Sequence, residues 1–171
     1  MNFVFKEVDF KAALEIASWK YPPPYELYNL NGSALALAKL MDGNYYSIFN
    51  QDQLIGFFCY GSAAQLMGKK DHALYQAESY LDVGLGLHPE WCDRGHGFQF
   101  AMAGLTFARS QNWLGGFRLT VASNNPRAIK VYSRVGFREV GRIIWDQNSK
   151  VDFLVMTLDS FEPVSGVSQG D

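Results

Sequence analysis

Between Tyr80 and Ser110 a strand pattern runs into a helix pattern through one short glycine-containing turn, and this junction limits what the chain can fold into. Ala77–Leu87 reads as a long strand interrupted by Gly84 and Gly86, where glycine signals a bulge or the close approach of another group. Gly97–Ser110 then sets Phe98, Ala101, Met102, Leu105 and Ala108 on one helical stripe, so the helix needs a sheet to pack against.

The flanking segments fit the same plan. Phe3–Lys6 reads as a first strand, and Asp9 caps a helix through Trp19 that Pro22-Pro23-Pro24 stops. Tyr25–Leu30 reads as a short helical piece, and Asn31-Gly32-Ser33 introduces a second helix through Leu40. Tyr45–Phe49 and Leu54–Tyr60 form a hairpin around Asn50–Gln53, and Gly61–His72 is a loop. Phe117–Val121 is a short strand, and Pro126–Val135 is a helix with Ala128, Val131, Tyr132 and Val135 on its apolar stripe. Gly136 ends that helix, Phe137–Trp145 and Val151–Leu158 make a last hairpin, and Phe161–Asp171 reads as a flexible tail. Helices and strands in this order describe a mixed α/β sheet, and 171 residues suit one domain, spanning residues 1–160.

Composition excludes several function classes. A net charge of -2, with basic runs no longer than dipeptides such as Lys69-Lys70, gives no field that would recruit nucleic acid. No apolar run is long enough to span a bilayer, and Met1–Asp9 lacks the order of a secretory signal, so a cytoplasmic location without membrane partners is expected. Cys59 and Cys92 make neither a disulfide framework nor a paired metal knuckle.

The turn Arg94-Gly95-His96-Gly97-Phe98-Gln99 opens a helix, where free N–H groups and the positive end of the dipole favour an anion. Gly95 and Gly97 allow a phosphate to approach, and Arg94 adds a cationic fork. Plain tight packing explains such a turn equally well. A P-loop is excluded because no Gly-Lys-Ser/Thr follows, and the glycines do not extend to a dinucleotide fingerprint.

This segment resembles the signature of the GNAT superfamily of N-acetyltransferases: Arg or Gln, two residues, Gly, one residue, then Gly or Ala. Arg94 and Gly97 fill the first positions, and Gln99 departs from the third. A second stretch strengthens the resemblance. Asn125, Ala128, Ile129, Tyr132, Gly136 and Phe137 match the second GNAT motif, and the resemblance spans roughly Leu54 to Leu158. It implies a mixed, mostly antiparallel sheet of six to seven strands, splayed after the fourth and flanked by about four helices. The overall pattern is similar to that of enzymes that acetylate protein N-termini, including the ribosomal-protein alanine type.

The same resemblance implies acetyl-CoA as co-substrate and an amine acceptor, either a small molecule or a protein. Leu85 and Leu87 would pair with the pantetheine arm, and Arg94, Gly95, His96, Gly97, Phe98 and Gln99 would hold the pyrophosphate. Asn125, Ala128 and Tyr132 would complete the CoA contacts, with a backbone N–H near Leu87 polarising the thioester carbonyl and Tyr132 facing the sulfur. Asn125 and Tyr132, seven residues apart, share a helix face roughly 10 Å apart, within reach of one ligand. Tyr132 also reads as a plain core aromatic.

Asp82 is the expected base; it shares a strand face with Glu78, and His88 is a further candidate by its ordinary pKa. A solvated strand carboxylate is the bland alternative for Asp82. Tyr25 and Tyr28, in the tyrosine-rich stretch Tyr21–Tyr28, are expected to line the acceptor pocket, or to pack a stiff loop. His88, Cys92, Asp93 and His96 could be drawn as a metal site or a Cys–His nucleophile, but the pyrophosphate turn already accounts for them, so no metal is expected. A GNAT-like module that senses acyl-CoA without transferring the acyl group is the rival function. The oligomeric state is expected to be monomer or homodimer.

Overall fold

The computed structural model describes residues 1–145 and 152–163. In chain order it contains β1 (Phe3–Glu7), α1 (Phe10–Ser18), α2 (Ala34–Leu40), β2 (Tyr45–Asn50), β3 (Gln53–Tyr60), β4 (Tyr80–Leu87), α3 (Gly97–Ser110), β5 (Gly116–Ala122), α4 (Pro126–Val135), β6 (Arg138–Ile144) and β7 (Asp152–Leu158). Short 3₁₀ turns occupy Glu26–Tyr28, Gly61–Ala64, Ala73–Tyr75 and Pro89–Trp91. The described helices are too short and too polar to cross a membrane.

Local chemistry sets several boundaries. Asp9 caps α1 by accepting from the Ala12 N–H at 2.8 Å, and Ser33 caps α2 through Ala36 at 3.2 Å. The strand expected from Ala77 begins only at Tyr80, because residues 77–79 are exposed and Arg118 draws on the carbonyl of Ala77. Glu78 therefore precedes β4 and does not share a strand face with Asp82.

The strand order is β1-β2-β3-β4-β5-β7-β6, all antiparallel except β4 with β5. This is the GNAT fold, with seven strands and four α-helices. One face carries α3 and α4 over Phe58, Val83, Phe117 and Leu119. The other carries α1 and α2 over Leu54, Phe57 and Cys59, while Tyr75 from the segment before β4 packs against Ile143 and Val155.

The stripe of α3 differs from the expected one. Phe100 and Gly104 turn inward with Ala101, Leu105 and Ala108, while Phe98 and Met102 are only half-buried. Phe100 meets Phe58 with ring centroids 4.7 Å apart. A Cβ on Gly104 would lie 2.1 Å from the Phe58 ring, so this glycine lets the helix settle on β3.

β4 and β5 pair only at Tyr80↔Gly116, Leu81↔Phe117 and Asp82↔Arg118. Beyond that step β4 continues with β3 and β5 with β7, so the sheet opens into a V. No bulge interrupts β4 against β3, where the register runs evenly from Tyr60↔Val83 to Gly56↔Leu87. Gly84 and Gly86 instead answer to crowding: added Cβ atoms would lie 2.6 Å from the Cys59 Sγ and 2.3 Å from the Phe57 ring. Gly86→Ala is therefore expected to cost about 1–3 kcal/mol, read as a lower urea midpoint. A variant as stable as wild type would show that Phe57 can move aside.

Phe161, at the start of the expected tail, is packed edge-on against Phe117, and its carbonyl accepts from the Arg109 Nε at 3.1 Å. The remainder of that segment, residues 164–171, and the turn of the last hairpin, residues 146–151, lie outside the described residues.

Candidate active site

The V has two arms with different chemistry. On β4, the His88 N–H donates to the Ile55 carbonyl at 2.8 Å, so alternate peptide groups at Gly84 and Gly86 also face β3. The peptide groups of Leu85 and Leu87 consequently face the other edge, which β5 has left. Leu87 shows this directly, since its carbonyl accepts from the Tyr21 hydroxyl at 2.9 Å and from the Cys92 thiol at 3.6 Å. A strand edge whose Leu85 peptide groups and Leu87 N–H have no partner among the described residues suits an extended amide-bearing chain.

Below this edge the chain turns into α3. His96 occupies the N-cap position without a capping side-chain bond, and Phe100 is the first residue of this turn whose N–H reaches a carbonyl, that of His96 at 3.0 Å. Among the described residues, the N–H groups of Gly97, Phe98 and Gln99 have no acceptor, which leaves an anion site at the positive end of a fourteen-residue helix. Arg94 and Gln99 are exposed beside it, and Arg94 has no carboxylate partner among the described residues.

The two glycines have separate reasons. Gly95 adopts φ +80° with nothing within 4 Å of a would-be Cβ, so the turn conformation requires it. A Cβ on Gly97 would lie 3.0 Å from Val131, so this glycine serves the packing of α3 on α4. Asp93 joins the turn to α4 through an ion pair with Arg127, whose guanidinium lies 4.2 Å from the Tyr25 ring centroid. Phe98 lies under Arg134 at 4.5 Å, and Trp91 packs beside His96.

On the β5 arm, Asn125 is the N-cap of α4. Its Oδ1 accepts from the Ala128 N–H at 3.1 Å, and its Nδ2 donates to the Tyr28 hydroxyl at 3.2 Å. Asn125 is buried with Oδ1 and Nδ2 both engaged, and the Ala128 N–H is taken up by its cap, so Asn125 ties the head of α4 to Tyr28. Tyr132 is also buried, edge-on to Phe137. Its hydroxyl has no hydrogen-bond partner among the described residues. Burial raises its phenol pKa well above the ordinary value, with smaller contributions from Tyr28 and Tyr21.

Tyr21 and Tyr28 bring the loop before α2 across the open end of the V. Tyr21 bonds to the tip of β4 and Tyr28 to the tip of β5, through the Ala122 N–H at 3.3 Å, with their rings edge to face at 6.4 Å. Burial, chiefly, also raises both of their pKa values. The loop is braced from within by the Tyr21 N–H donating to the Asn29 Oδ1 at 2.7 Å. Among the described residues, two buried side-chain atoms have no partner, Trp19 Nε1 and Asn124 Oδ1; they come from residues flanking this mouth, Trp19 beside His88 and Asn124 just before α4.

Asp82 is committed elsewhere. Its Oδ1 accepts from the Arg118 Nε and its Oδ2 from the Arg118 Nη2, both at 2.6 Å, and Oδ2 also accepts from the Gln65 Nε2 at 2.8 Å. Both residues are almost fully buried. Arg118 further donates to the carbonyls of Leu74, Tyr75 and Ala77, tying the segment before β4 to the apex of the V. A carboxylate held by three donors is poorly disposed to take a proton from an amine, and this arrangement replaces the expected catalytic base with a structural pin.

His88 is no better placed as a base. Its Nδ1 accepts from the Glu90 N–H at 3.2 Å, so the neutral ring carries its proton on Nε2 and has no second lone pair to offer. Among the described residues, no group of three or more His, Cys, Asp or Glu side chains is placed to hold a metal ion.

Sequence reading missed Arg118, Gln65 and the bond from Tyr21 to Leu87. A signal for the first existed: an arginine amid Phe117, Leu119 and Val121 in a buried strand demands a partner, and Asp82 was an acid on a neighbouring apolar strand.

A splayed mixed sheet, a bare helix start beneath an open strand edge and a tyrosine on the facing helix define an acetyltransferase-type domain. The sequence matches the Acetyltransferase (GNAT) family over residues 10–137, and the chain belongs to that family. No curated protein sequence matches it. Similar solved structures include a GNAT-family acetyltransferase from Bacillus anthracis, with 14% identity, 93% of this chain and 95% of the other covered, and a TM-score of 0.64. The ribosomal-protein-S5-alanine acetyltransferase of Vibrio fischeri is similar at 14% identity, with 95% of each chain covered and a TM-score of 0.59. A mutant form of the spermidine/spermine N-acetyltransferase of Vibrio cholerae is similar at 15% identity, with 92% and 95% covered and a TM-score of 0.63.

Proposed function

We propose that this protein transfers the acetyl group of acetyl-CoA to a primary amine. The observation that carries this reading is the alignment of the open peptide edge at Leu85 and Leu87 with the bare N–H groups of Gly97, Phe98 and Gln99. One face offers partners for an extended pantetheine arm and, at its foot, for a pyrophosphate. Arg94 supplies charge to the same phosphates, and the Gln99 amide, exposed beside the turn, is a further donor. Co-substrate amides and phosphates satisfy the Leu85 peptide groups, the Leu87 N–H and the N–H groups of Gly97, Phe98 and Gln99, which have no partner among the described residues.

In the transfer step the neutral amine nitrogen attacks the thioester carbonyl at the open end of the V. The C–N bond forms, charge collects on the carbonyl oxygen, and a peptide N–H near Leu87 stabilises it. When the C–S bond breaks, its electron pair goes to sulfur, which receives a hydrogen bond from Tyr132. A phenol of ordinary pKa about 10 is a weaker acid than a thiol near 8.5, and burial raises it further. Tyr132 therefore acts as a hydrogen-bond donor to the thiolate, while the extra amine proton leaves to water. Tyr21, Tyr25 and Tyr28 form the acceptor wall, and Asp82 holds the apex of the V without taking part.

Thiol release from acetyl-CoA across a panel of amines, with mass analysis of the products, tests the reading. The panel should include peptide N-termini, lysine, polyamines and small amines. Acetylated product with at least one amine is expected. Tight CoA binding with no acetylated product would favour the sensor module.

A further inference from the structure

The hydrogen bonds of Tyr28 fix the direction in which its proton can act. Its oxygen lies 3.3 Å from the Ala122 N and 3.2 Å from the Asn125 Nδ2. A backbone N–H can only donate. The Asn125 amide is oriented by its other end, because Oδ1 is the acceptor that caps α4 at Ala128, and its NH2 must therefore face Tyr28. The phenol oxygen accepts both bonds, and its own proton is left for a third partner. Among the described residues it has no acceptor.

Position narrows what that partner is. Tyr28 is held at the tip of β5 and the head of α4, across the V from Leu87, whose neighbourhood receives the thioester carbonyl. Tyr132 projects from the same α4, two turns along from Asn125. Burial keeps Tyr28 protonated through the neutral range, so it is a standing donor. We propose that Tyr28 is a second catalytic hydrogen-bond donor, which shares with Tyr132 the negative charge on the departing sulfur. This rests on the acetyl-CoA reading and adds to it. The C–S electron pair goes to sulfur as before, two phenols bond to the thiolate, and neither needs to surrender its proton.

The test compares the binding of CoA with that of desulfo-CoA, in which hydrogen replaces the thiol, by calorimetry at about pH 9.5, above the ordinary thiol pKa of about 8.5. Wild type is expected to prefer CoA by about tenfold or more, the scale of hydrogen bonds to a charged group. Tyr28→Phe keeps the ring and should lower that preference by at least about threefold, leaving desulfo-CoA affinity unchanged. Asn125→Asp should do the same while still capping α4, because its second carboxylate oxygen accepts the Tyr28 proton and draws it away from the V. An undiminished preference in both variants would overturn the role of Tyr28 and leave the acetyl-CoA reading standing. Equal affinity of wild type for the two ligands would overturn it as well. Binding of neither ligand by wild type would overturn the acetyl-CoA reading itself, and this role with it.

Discussion

Arg118→Met is expected to destabilise the fold by about 3–5 kcal/mol, the usual cost of leaving one member of a buried ion pair without its partner. The substitution strands Asp82, which is only 4% exposed, and frees the carbonyls of Leu74, Tyr75 and Ala77 in the same stroke. Adding Asp82→Asn should recover part of the loss, because the orphaned charge disappears while the carbonyls stay unpaired. Urea denaturation of the two variants and wild type measures both effects. The pair spans the last paired step of β4 and β5, so the double variant should also bind acetyl-CoA more weakly through a loosened V. A loss below about 1 kcal/mol for Arg118→Met would show that the apex is held by the sheet alone.

Tyr132→Phe is expected to lower kcat by about a hundredfold or more with KM for acetyl-CoA nearly unchanged, the signature of an interaction made only as the C–S bond breaks. The ring stays packed on Phe137, so stability should change little. pH dependence adds an independent check. Because burial raises the Tyr132 pKa, its phenol remains protonated as pH passes the ordinary value near 10, and turnover should show no fall there from its ionisation. With Asp82 and His88 both engaged, the rising limb of kcat/KM should follow the pKa of whichever amine is supplied and move when the amine is changed. A limb that stays fixed across amines would point to a protein base. Unchanged turnover in Tyr132→Phe would remove this residue from the chemistry.

What the sequence disclosed and what it hid divide by distance along the chain. The caps at Asp9 and Ser33 each depend on an acceptor three residues before its donor, and the starts of both helices were readable as local patterns, whereas the cap that Asn125 supplies to α4 was not read. The strand-to-helix junction and the Asn125–Phe137 pattern were readable for the same reason, and together they carried the resemblance to the family. Asp82 and Arg118 are 36 positions apart, and Tyr28 and Asn125 are 97 apart. A single sequence shows the residue types of such pairs but not their meeting, so Asp82 read as a free carboxylate and Asn125 as a ligand contact. The misplaced stripe of α3 has another cause. Gly104 reads as a weak helix residue, although its missing side chain is what lets Phe58 and Phe100 meet.

One stoichiometric measurement tests acetyl transfer most directly: free thiol and acetylated amine quantified together from acetyl-CoA and the best acceptor of the panel. Transfer predicts the two appearing in equal amounts, at a rate that falls by about a hundredfold in Tyr132→Phe. Thiol released without acetylated amine, or CoA bound with neither product formed, would contradict it.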